Sequence, residues 1–349
     1  MKQIYFLTTL FFISVNSLYS QVTDVITGLN GPVAIALNGN NLYIAEANAT
    51  KISKIDITAT TPTATDVATG INEPFGLAFN GNELYIAQNN FDKISKIDIT
   101  ATTPSAIDVL TGLNSPNGLL FVGNDLYVAE TNGAKIYKID ITNSTPVATN
   151  ILTGIPSPYK LAINGNDLYF SNINSNKISK IDITATTPIA IDVVTGLNFP
   201  WGLVFLGNDL YISEYGANKI SKIDITATTP VATDVVTGLS GPTDILLNSN
   251  NLYIVESVSN KISKVDLNTL SIEEFNNADS IKFYPNPATD FIEFSDLKDN
   301  KSYIIYDISG KEISKGTIDN NKRIDLKKYS SGLYFMKFKD GNTIKFIKE

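Results

Sequence analysis

Apolar and polar residues alternate along most of the chain in a pattern that repeats every 42 residues. Tyrosines that follow a leucine recur at this interval, at Tyr43, Tyr85, Tyr127, Tyr169, Tyr211 and Tyr253, and so do prolines, at Pro32, Pro74, Pro116, Pro158, Pro200 and Pro242. No residue is inserted or deleted between the six copies. A period of about 40 to 45 residues with turn residues in each copy is typical of one blade of a β-propeller.

Each copy contains four short segments that favour β-strands. In the first copy an apolar segment at 33–37 ends at the hairpin signal Asn38-Gly39, and a second strand follows at 42–45. A polar loop leads to a third strand at 51–57, and a threonine-rich loop leads to a fourth at 65–68. Helical periodicity is absent and β-branched residues are common. The sequence therefore predicts an all-β fold, a six-bladed β-propeller made of four-stranded antiparallel blades.

The pattern also indicates how the ring closes. A strand of the fourth type stands at 22–26, before any first strand, whereas the sixth copy ends with its third strand near Leu267. We expect the N-terminal strand to complete the sixth blade, which leaves no sheet edge open at the junction. The segment 271–275 competes for this place but lacks the Thr-Asp-Val pattern, so both alternatives stand at this point.

The repeat stops before Ile281, and short alternating strands separated by turn signals such as Asp340-Gly341 follow it. These predict a small C-terminal β-sandwich. At the other end, Lys2 precedes an apolar run at 4–15, and Ser20 precedes Gln21. This pattern is typical of a secretory signal peptide cleaved near Ser20. The predicted organisation is a signal peptide at 1–20, a propeller at 21–270, a linker at 271–280 and the C-terminal domain at 281–349.

The predicted signal peptide implies export, and its apolar run is too short for a transmembrane helix. No other stretch is long and apolar enough to cross a membrane, so we expect no transmembrane segment after its removal. We expect the mature protein to be a monomer.

Composition narrows the possible chemistry. The 349 residues include no Cys and no His, which excludes disulfides, thiol nucleophiles, imidazole bases and the usual zinc sites. Residues 21–276 contain 13 lysines against 24 acidic residues, whereas residues 277–349 contain 13 basic against 11 acidic residues. The acidic excess belongs to the repeats, and clustered basic residues are missing, so a nucleic-acid partner is not expected.

The repeats resemble a known family. Segments such as GPVAIALNGNNLYIAEANATKISKI and EPFGLAFNGNELYIAQNNFDKISKID look like NHL-type repeats, and the resemblance covers all six copies. It implies a propeller but leaves function open, because related propellers include lactonases, lyases and binding scaffolds. The lyases of this group use His, which this chain lacks, so the resemblance argues against lyase activity.

The C-terminal residues resemble a second family. Pro285-Asn286-Pro287, the segment 306–311 with its Tyr-Asp-x-x-Gly-Lys pattern, and the segment 331–334 look like motifs of the C-terminal sorting domain of the bacterial type IX secretion pathway. The resemblance implies that residues 281–349 engage the type IX secretion machinery. The protein would then reach the cell surface or the extracellular medium, released or attached.

The loops of the repeats suggest where a ligand would bind. In a propeller, the loops between the fourth and first strands and between the second and third strands share one face. Aromatic and acidic residues differ from copy to copy in these loops, and the candidates for ligand binding are Phe75, Tyr159, Trp201, Phe199, Tyr215, Glu73 and Asp244. Exposed aromatics beside carboxylates suit a carbohydrate or a peptide. Sequence drift in loops without any function is the alternative.

A metal site is a further possibility. Glu46, Glu130, Glu214 and Glu256 occupy the same position in four repeats, and calcium requires six to eight oxygen ligands. Related lactonase-like propellers hold a metal with such residues, although the glutamates would equally bind local backbone. Three functions therefore remain open: a binding module, a metal-dependent hydrolase that uses carboxylates, and a structural surface protein without a small ligand.

Overall fold

The structure is a computed structural model that describes residues 22–143, 145–269, 282–295, 297, 300–308, 310–319, 322–339 and 343–349. The chain divides into two compact units, 1–271 and 272–349. The predicted signal peptide and the segment 271–275 lie outside the described residues.

The first unit contains six four-stranded antiparallel sheets, which confirms the predicted all-β propeller. The first strand of the described residues is β1 (Thr23–Thr27). The first blade consists of β2 (Pro32–Asn38), β3 (Asn41–Glu46), β4 (Lys51–Asp56) and β5 (Thr65–Thr69), and the second of β6 (Pro74–Asn80), β7 (Glu83–Gln88), β8 (Lys93–Asp98) and β9 (Ile107–Thr111). The third consists of β10 (Pro116–Val122), β11 (Asp125–Glu130), β12 (Lys135–Asp140) and β13 (Ala148–Thr153), and the fourth of β14 (Pro158–Asn164), β15 (Asp167–Asn172), β16 (Lys177–Asp182) and β17 (Ile191–Thr195).

The fifth blade consists of β18 (Pro200–Leu206), β19 (Asp209–Glu214), β20 (Lys219–Asp224) and β21 (Thr233–Thr237), and the sixth of β22 (Pro242–Asn248), β23 (Asn251–Glu256) and β24 (Lys261–Asp266) completed by β1. Short 3-10 helices span Asn89–Phe91, Tyr215–Ala217 and Leu267–Thr269. No helix within the described ranges is long and apolar enough to span a membrane.

The ring is closed by β1. The innermost strands β2, β6, β10, β14, β18 and β22 contact one another in sequence, and β22 returns to β2. β1 pairs antiparallel with β24, with Thr27 opposite Lys261. This confirms the expectation that the N-terminal strand completes the sixth blade.

Burial follows the place of each strand in its blade. In β3 the consecutive residues Leu42, Tyr43, Ile44 and Ala45 are all buried, because this strand has a neighbouring blade on both faces. Tyr43 meets Phe79 of the next blade edge to face, with ring centroids 4.9 Å apart, and the same contact recurs in blades 2 and 4. The outermost β5 is mainly exposed or half-buried. The core therefore lies between blades rather than within one sheet.

Asparagine side chains join neighbouring blades on the loop face. Asn260 has a left-handed backbone with φ +55°, and its side-chain oxygen accepts a hydrogen bond from the backbone N–H of Gly31 at 2.9 Å. Asn176 and Asn218 make the same contact with Phe199 and Gly241 of the next blade. At the junction of blades 6 and 1, this bond links the two ends of the propeller sequence.

The second unit contains two small sheets. They are formed by β25 (Lys282–Tyr284), β26 (Phe291–Ser295) and β29 (Arg323–Asp325), and by β27 (Lys301–Asp307), β28 (Glu312–Ile318), β30 (Gly332–Phe338) and β31 (Thr343–Lys348). Phe294, Met336 and Phe346 lie in their common core. The Asn286 side-chain oxygen accepts a hydrogen bond from the N–H of Ile347 at 2.9 Å, so the Pro-Asn-Pro motif is fixed to the last strand.

Candidate binding site at the mouth of the channel

The loops that precede the innermost strands share one end of the propeller with the loops between the second and third strands. The N–H of Ala47 donates to the carbonyl of Gly31 at 2.8 Å, which joins these two loop types in blade 1. The other two loop types meet at the opposite end, where the N–H of Ile57 donates to the carbonyl of Asn40 at 3.0 Å. The innermost strands begin at the first end, and their first residues lie around the mouth of the channel.

A buried ion pair crosses the channel near this mouth. Lys160 in β14 places its Nζ 2.6 Å from Oδ2 of Asp244 in β22, although blade 5 lies between their two blades. The Asp244 side chain is only 2% exposed and that of Lys160 is 16% exposed. Asp244 Oδ2 also accepts the N–H of Ile35 in blade 1 at 3.1 Å, and Oδ1 accepts the N–H of Ile245 at 3.0 Å. Asp244 therefore joins blades 4, 6 and 1, and its oxygens have partners within the protein.

Small residues make room for this pair. The positions equivalent to Lys160 and Asp244 in the other blades are Ala34, Gly76, Gly118 and Gly202. A Cβ at Gly76 would lie 1.8 Å from the carbonyl oxygen of Asn117, and one at Gly118 would lie 2.2 Å from that of Tyr159. At these blades the neighbouring backbone occupies the space that a side chain would take, so the two charged residues are exceptions in an otherwise closed ring.

Three aromatic rings pack in series beside the ion pair. The centroids of Tyr159 and Trp201 lie 4.7 Å apart, and those of Trp201 and Tyr215 lie 4.9 Å apart with nearly parallel planes. Burial, reinforced by the charge of Asp244, raises the pKa of Tyr159. Tyr159 is thus buried and not the exposed anchor expected from the sequence, because its ring packs on Trp201. Trp201 and Tyr215 are half-buried and present the outer part of this aromatic series.

Other predicted residues lie elsewhere around the mouth. Phe199 is 46% exposed and lies on the same side of the propeller as Tyr215. Gly216 packs close to the phenyl ring of Phe199. Glu73 and Phe75 belong to blade 2 and are half-buried, and among the described residues no hydrogen bond or ring contact joins them to the aromatic series. The structure therefore brings together Tyr159, Trp201, Tyr215 and Asp244, whereas Glu73 and Phe75 stay apart.

Three polar groups near the mouth are buried without a partner among the described residues. They are the indole Nε1 of Trp201, the hydroxyl of Thr243 and Oε2 of Glu73. Buried polar atoms in folded proteins nearly always have a partner. In blade 3, Asn117 accepts from Asn89 Nδ2 at 2.8 Å and contacts Thr131. Unpartnered polar groups thus occur in blade 2 as well as on the aromatic side of the mouth.

Each of the four glutamates proposed as metal ligands binds residues of its own blade. Each accepts a hydrogen bond from the backbone N–H of the preceding loop, at 2.8 to 3.0 Å: Asn30 to Glu46, Asn114 to Glu130, Asn198 to Glu214 and Ser240 to Glu256. Each also lies 3.1 to 3.5 Å from a lysine Nζ of the following strand. Across the described residues, no group of three or more acidic side chains has the spacing of a metal site. The structure does not bring the four glutamates together.

The two remaining blades carry a different residue in place of the glutamate, and the loop that this residue faces explains the difference. In blade 4 the loop residue is Pro156, which has no N–H to donate, and the glutamate is replaced by the shorter Asn172. In blade 2 Gln88 donates its Nε2 to the carbonyl of Asn72 at 3.0 Å. The side chain at this position thus changes with the loop that it binds, as expected for a structural role.

Sequence reasoning missed Lys160. A signal was present, because four of six equivalent positions carry Gly or Ala and the remaining two carry opposite charges two blades apart. Comparison of the repeats position by position, rather than loop by loop, would have found the pair.

Comparison with known families finds one match in each part of the chain. Residues 282–349 match a family described as secretion system C-terminal sorting domain, and residues 20–161 match a repeat of unknown function (DUF6923). No curated protein matches the chain.

Solved structures with a similar fold have diverse roles. Virginiamycin B lyase from Staphylococcus aureus is 18% identical with a TM-score of 0.54, over 71% of this chain and 98% of that chain. A histidine-to-alanine variant of that lyase is described as catalytically inactive. A nidogen/laminin complex is 17% identical with a TM-score of 0.57, over 66% of this chain and 90% of that chain. An auxiliary nutrient binding protein from Bacteroides ovatus is 11% identical with a TM-score of 0.60, over 70% of this chain and 76% of that chain. Identities this low show the fold alone.

The fold defines the class: a six-bladed β-propeller. This chain joins that propeller to a type IX C-terminal sorting domain, which implies export to the cell surface or the extracellular space.

Proposed function

We propose that the protein is an exported binding module that captures a carbohydrate or peptide at the mouth of its channel, on the side of blades 4 to 6. The observation that carries this proposal is the Tyr159–Trp201–Tyr215 series beside the Lys160–Asp244 pair. The half-buried rings of Trp201 and Tyr215 supply apolar contact area for such a ligand.

The nutrient-binding neighbour supports a binding role by analogy of fold alone. A lyase mechanism of the streptogramin type is disfavoured. That lyase loses activity when a histidine is replaced by alanine, and this chain has no histidine.

The binding proposal is tested with glycan and peptide arrays. We expect Trp201→Ala and Tyr215→Ala to lose the hits of the wild-type protein. Phe91→Ala is the matched control, because Phe91 is 49% exposed in a loop of the same type in blade 2, away from the aromatic series. Unchanged binding in the Trp201 and Tyr215 variants would contradict the proposal, as would equal loss in all three.

We further propose that the signal peptide is cleaved after Ser20 and that residues 281–349 direct passage through the outer membrane before their removal or surface attachment. In a bacterium with type IX secretion, deletion of residues 285–349 should leave the propeller in the periplasm. Secretion of the truncated chain at the normal level would contradict this role. Mass spectrometry of the secreted protein identifies both ends and separates release from attachment.

A further inference from the structure

Two cavities of the propeller occupy the same place in the repeat, three blades apart. One of about 690 Å³ lies where blade 6 meets blade 1, and the other of about 370 Å³ lies where blade 3 meets blade 4. Part of their linings corresponds, for example Leu29 with Ile155, Glu46 with Asn172, and Lys51 with Lys177. The groove between blades is therefore a feature of the fold, and the residues that differ between the two seams determine what each can bind.

The larger cavity has an unpaired lysine in its wall. Lys264 lines it together with Tyr253 and is half-buried. In blades 2 to 5 the equivalent lysine is 2.6 to 2.7 Å from a carboxylate at the start of the preceding strand, in the pairs Lys96–Glu83, Lys138–Asp125, Lys180–Asp167 and Lys222–Asp209. In blade 6 the residue at that place is Asn251. Lys264 has no ion pair with any described residue.

The other charged groups in the wall of this cavity have ion-pair partners. Asp24 lies 2.7 Å from the Nζ of Lys261, and the Nζ of Lys51 lies between Glu46 at 3.5 Å and Asp66 at 2.6 Å. Each of these two lysines lies beside two carboxylates, since Glu256 is 3.3 Å from Lys261, so the paired groups keep a net negative charge. Among the described residues, the ammonium of Lys264 is the charged group in this wall without an ion-pair partner. A ligand that carries a carboxylate would supply its missing partner through a charge-assisted hydrogen bond.

The rest of the lining favours a hydroxyl-rich molecule. Thr60, Thr61 and Thr63 come from the loop that follows β4, and each hydroxyl can donate and accept a hydrogen bond. Val25 and Ile26 of β1 add apolar surface. A cavity of this volume lies in the range of sites for small ligands.

We infer that the seam between blades 6 and 1 binds a uronic acid, a sugar with a carboxylate, through Lys264 and the threonine hydroxyls of 60–63. This site is separate from the mouth of the channel and does not depend on the function proposed there.

The test uses the full chain without its signal peptide, with D-galacturonic acid as the probe in isothermal titration calorimetry. D-Galactose lacks the carboxylate and acetate lacks the sugar, so the two separate the contributions of charge and hydroxyls. We expect galacturonic acid to bind at least about tenfold more tightly than either.

Two variants address Lys264 directly. Asn251→Asp restores the carboxylate found in blades 3 to 5, occupies Lys264 and should weaken binding at least about tenfold with the lysine retained. Lys264→Gln should do the same by removing the charge. Lys138→Gln is the matched control, because Lys138 occupies the same place in blade 3 and is paired. We expect it to bind like wild type, as should Trp201→Ala, which separates this site from the mouth of the channel.

Several outcomes would overturn the inference. They are the absence of heat with galacturonic acid at millimolar concentration, equal affinity for galactose or acetate, and wild-type affinity in Asn251→Asp. Thermal melting of each variant shows whether it is folded, and Asn251→Asp places in blade 6 a residue that three blades already carry.

Discussion

The ammonium of Lys160 in blade 4 lies 2.6 Å from the carboxylate of Asp244 in blade 6, across the channel and past the Gly202 of blade 5. Asp244 also accepts the N–H of Ile35 in blade 1, so its side chain joins blades 6 and 1 where the ring closes. This pair is the clearest departure from the sixfold repeat in the interior of the propeller.

Removal of Lys160 should destabilise the propeller. In Lys160→Met the nearly fully buried Asp244 keeps its backbone partners but loses its counter-charge, and we expect a loss of about 3 kcal/mol in the free energy of unfolding. Urea denaturation measures this loss. The control is Lys138→Met, whose pair with Asp125 is about one-third exposed and should contribute at most about 1 kcal/mol. Equal effects of the two substitutions would show that the cross-channel pair is no stronger than a surface pair.

A methyl group at Gly76 should disrupt the contact between blades 2 and 3. The added Cβ would lie 1.8 Å from the carbonyl oxygen of Asn117, so the backbone must move, and we expect Gly76→Ala to lower stability by about 1 to 3 kcal/mol. Blade 1 carries Ala34 at the equivalent position, so Ala34→Gly serves as the control for the change in residue type. Melting temperature reports both. A Gly76→Ala protein as stable as wild type would show that this contact is more tolerant than its geometry implies.

Loss of the Asn260 side chain should open the closing seam first. Asn260→Gly keeps the left-handed backbone accessible and removes only the bond to Gly31, at a cost of about 1 kcal/mol. Asn260→Ala adds about 1 to 2 kcal/mol of backbone strain to this cost. Hydrogen exchange of the β1 amides should be faster in both. Asn218→Gly, which removes the same bond between blades 5 and 6, should leave exchange in β1 nearly unchanged.

Stability should fall at alkaline pH, in part through Tyr85. Burial, followed by the charge of Glu83, raises the pKa of Tyr85 from its ordinary value of 10.0 to about 12. Because the folded pKa is above the unfolded pKa, this contribution is fully present below about pH 10 and is lost as the pH rises toward 12. Urea unfolding between pH 8 and pH 11 measures the slope. Tyr85→Phe should flatten it.

The sequence was sufficient to predict the architecture because the repeat imposes it. Buried runs such as Leu42–Tyr43 recur at a fixed interval, and strand pairing within each blade is local, so the count of blades, their strands and the closing strand followed. The site was less accessible. Loop variation indicated Trp201 and Tyr215 as candidates on one face, but whether a ring such as Tyr159 is exposed depends on contacts between blades that no single repeat encodes.

The role of the four glutamates also could not be predicted from the sequence alone. A shared position in four repeats suggested convergence, but a ring places equivalent residues apart, and each of them binds its own loop. The pairing of Pro156 with Asn172 was visible in the sequence, but its meaning depended on knowledge of which N–H the glutamate accepts.

Closure by β1 also sets an order in time. β1 has no partner until residues 261–266 have been synthesised, because within the described part of this sheet β24 is its neighbour. Each earlier blade pairs its strands locally and can form as it appears. β1 therefore stays unpaired until the sixth blade forms. We expect this long-range pairing to limit the rate of folding of the propeller.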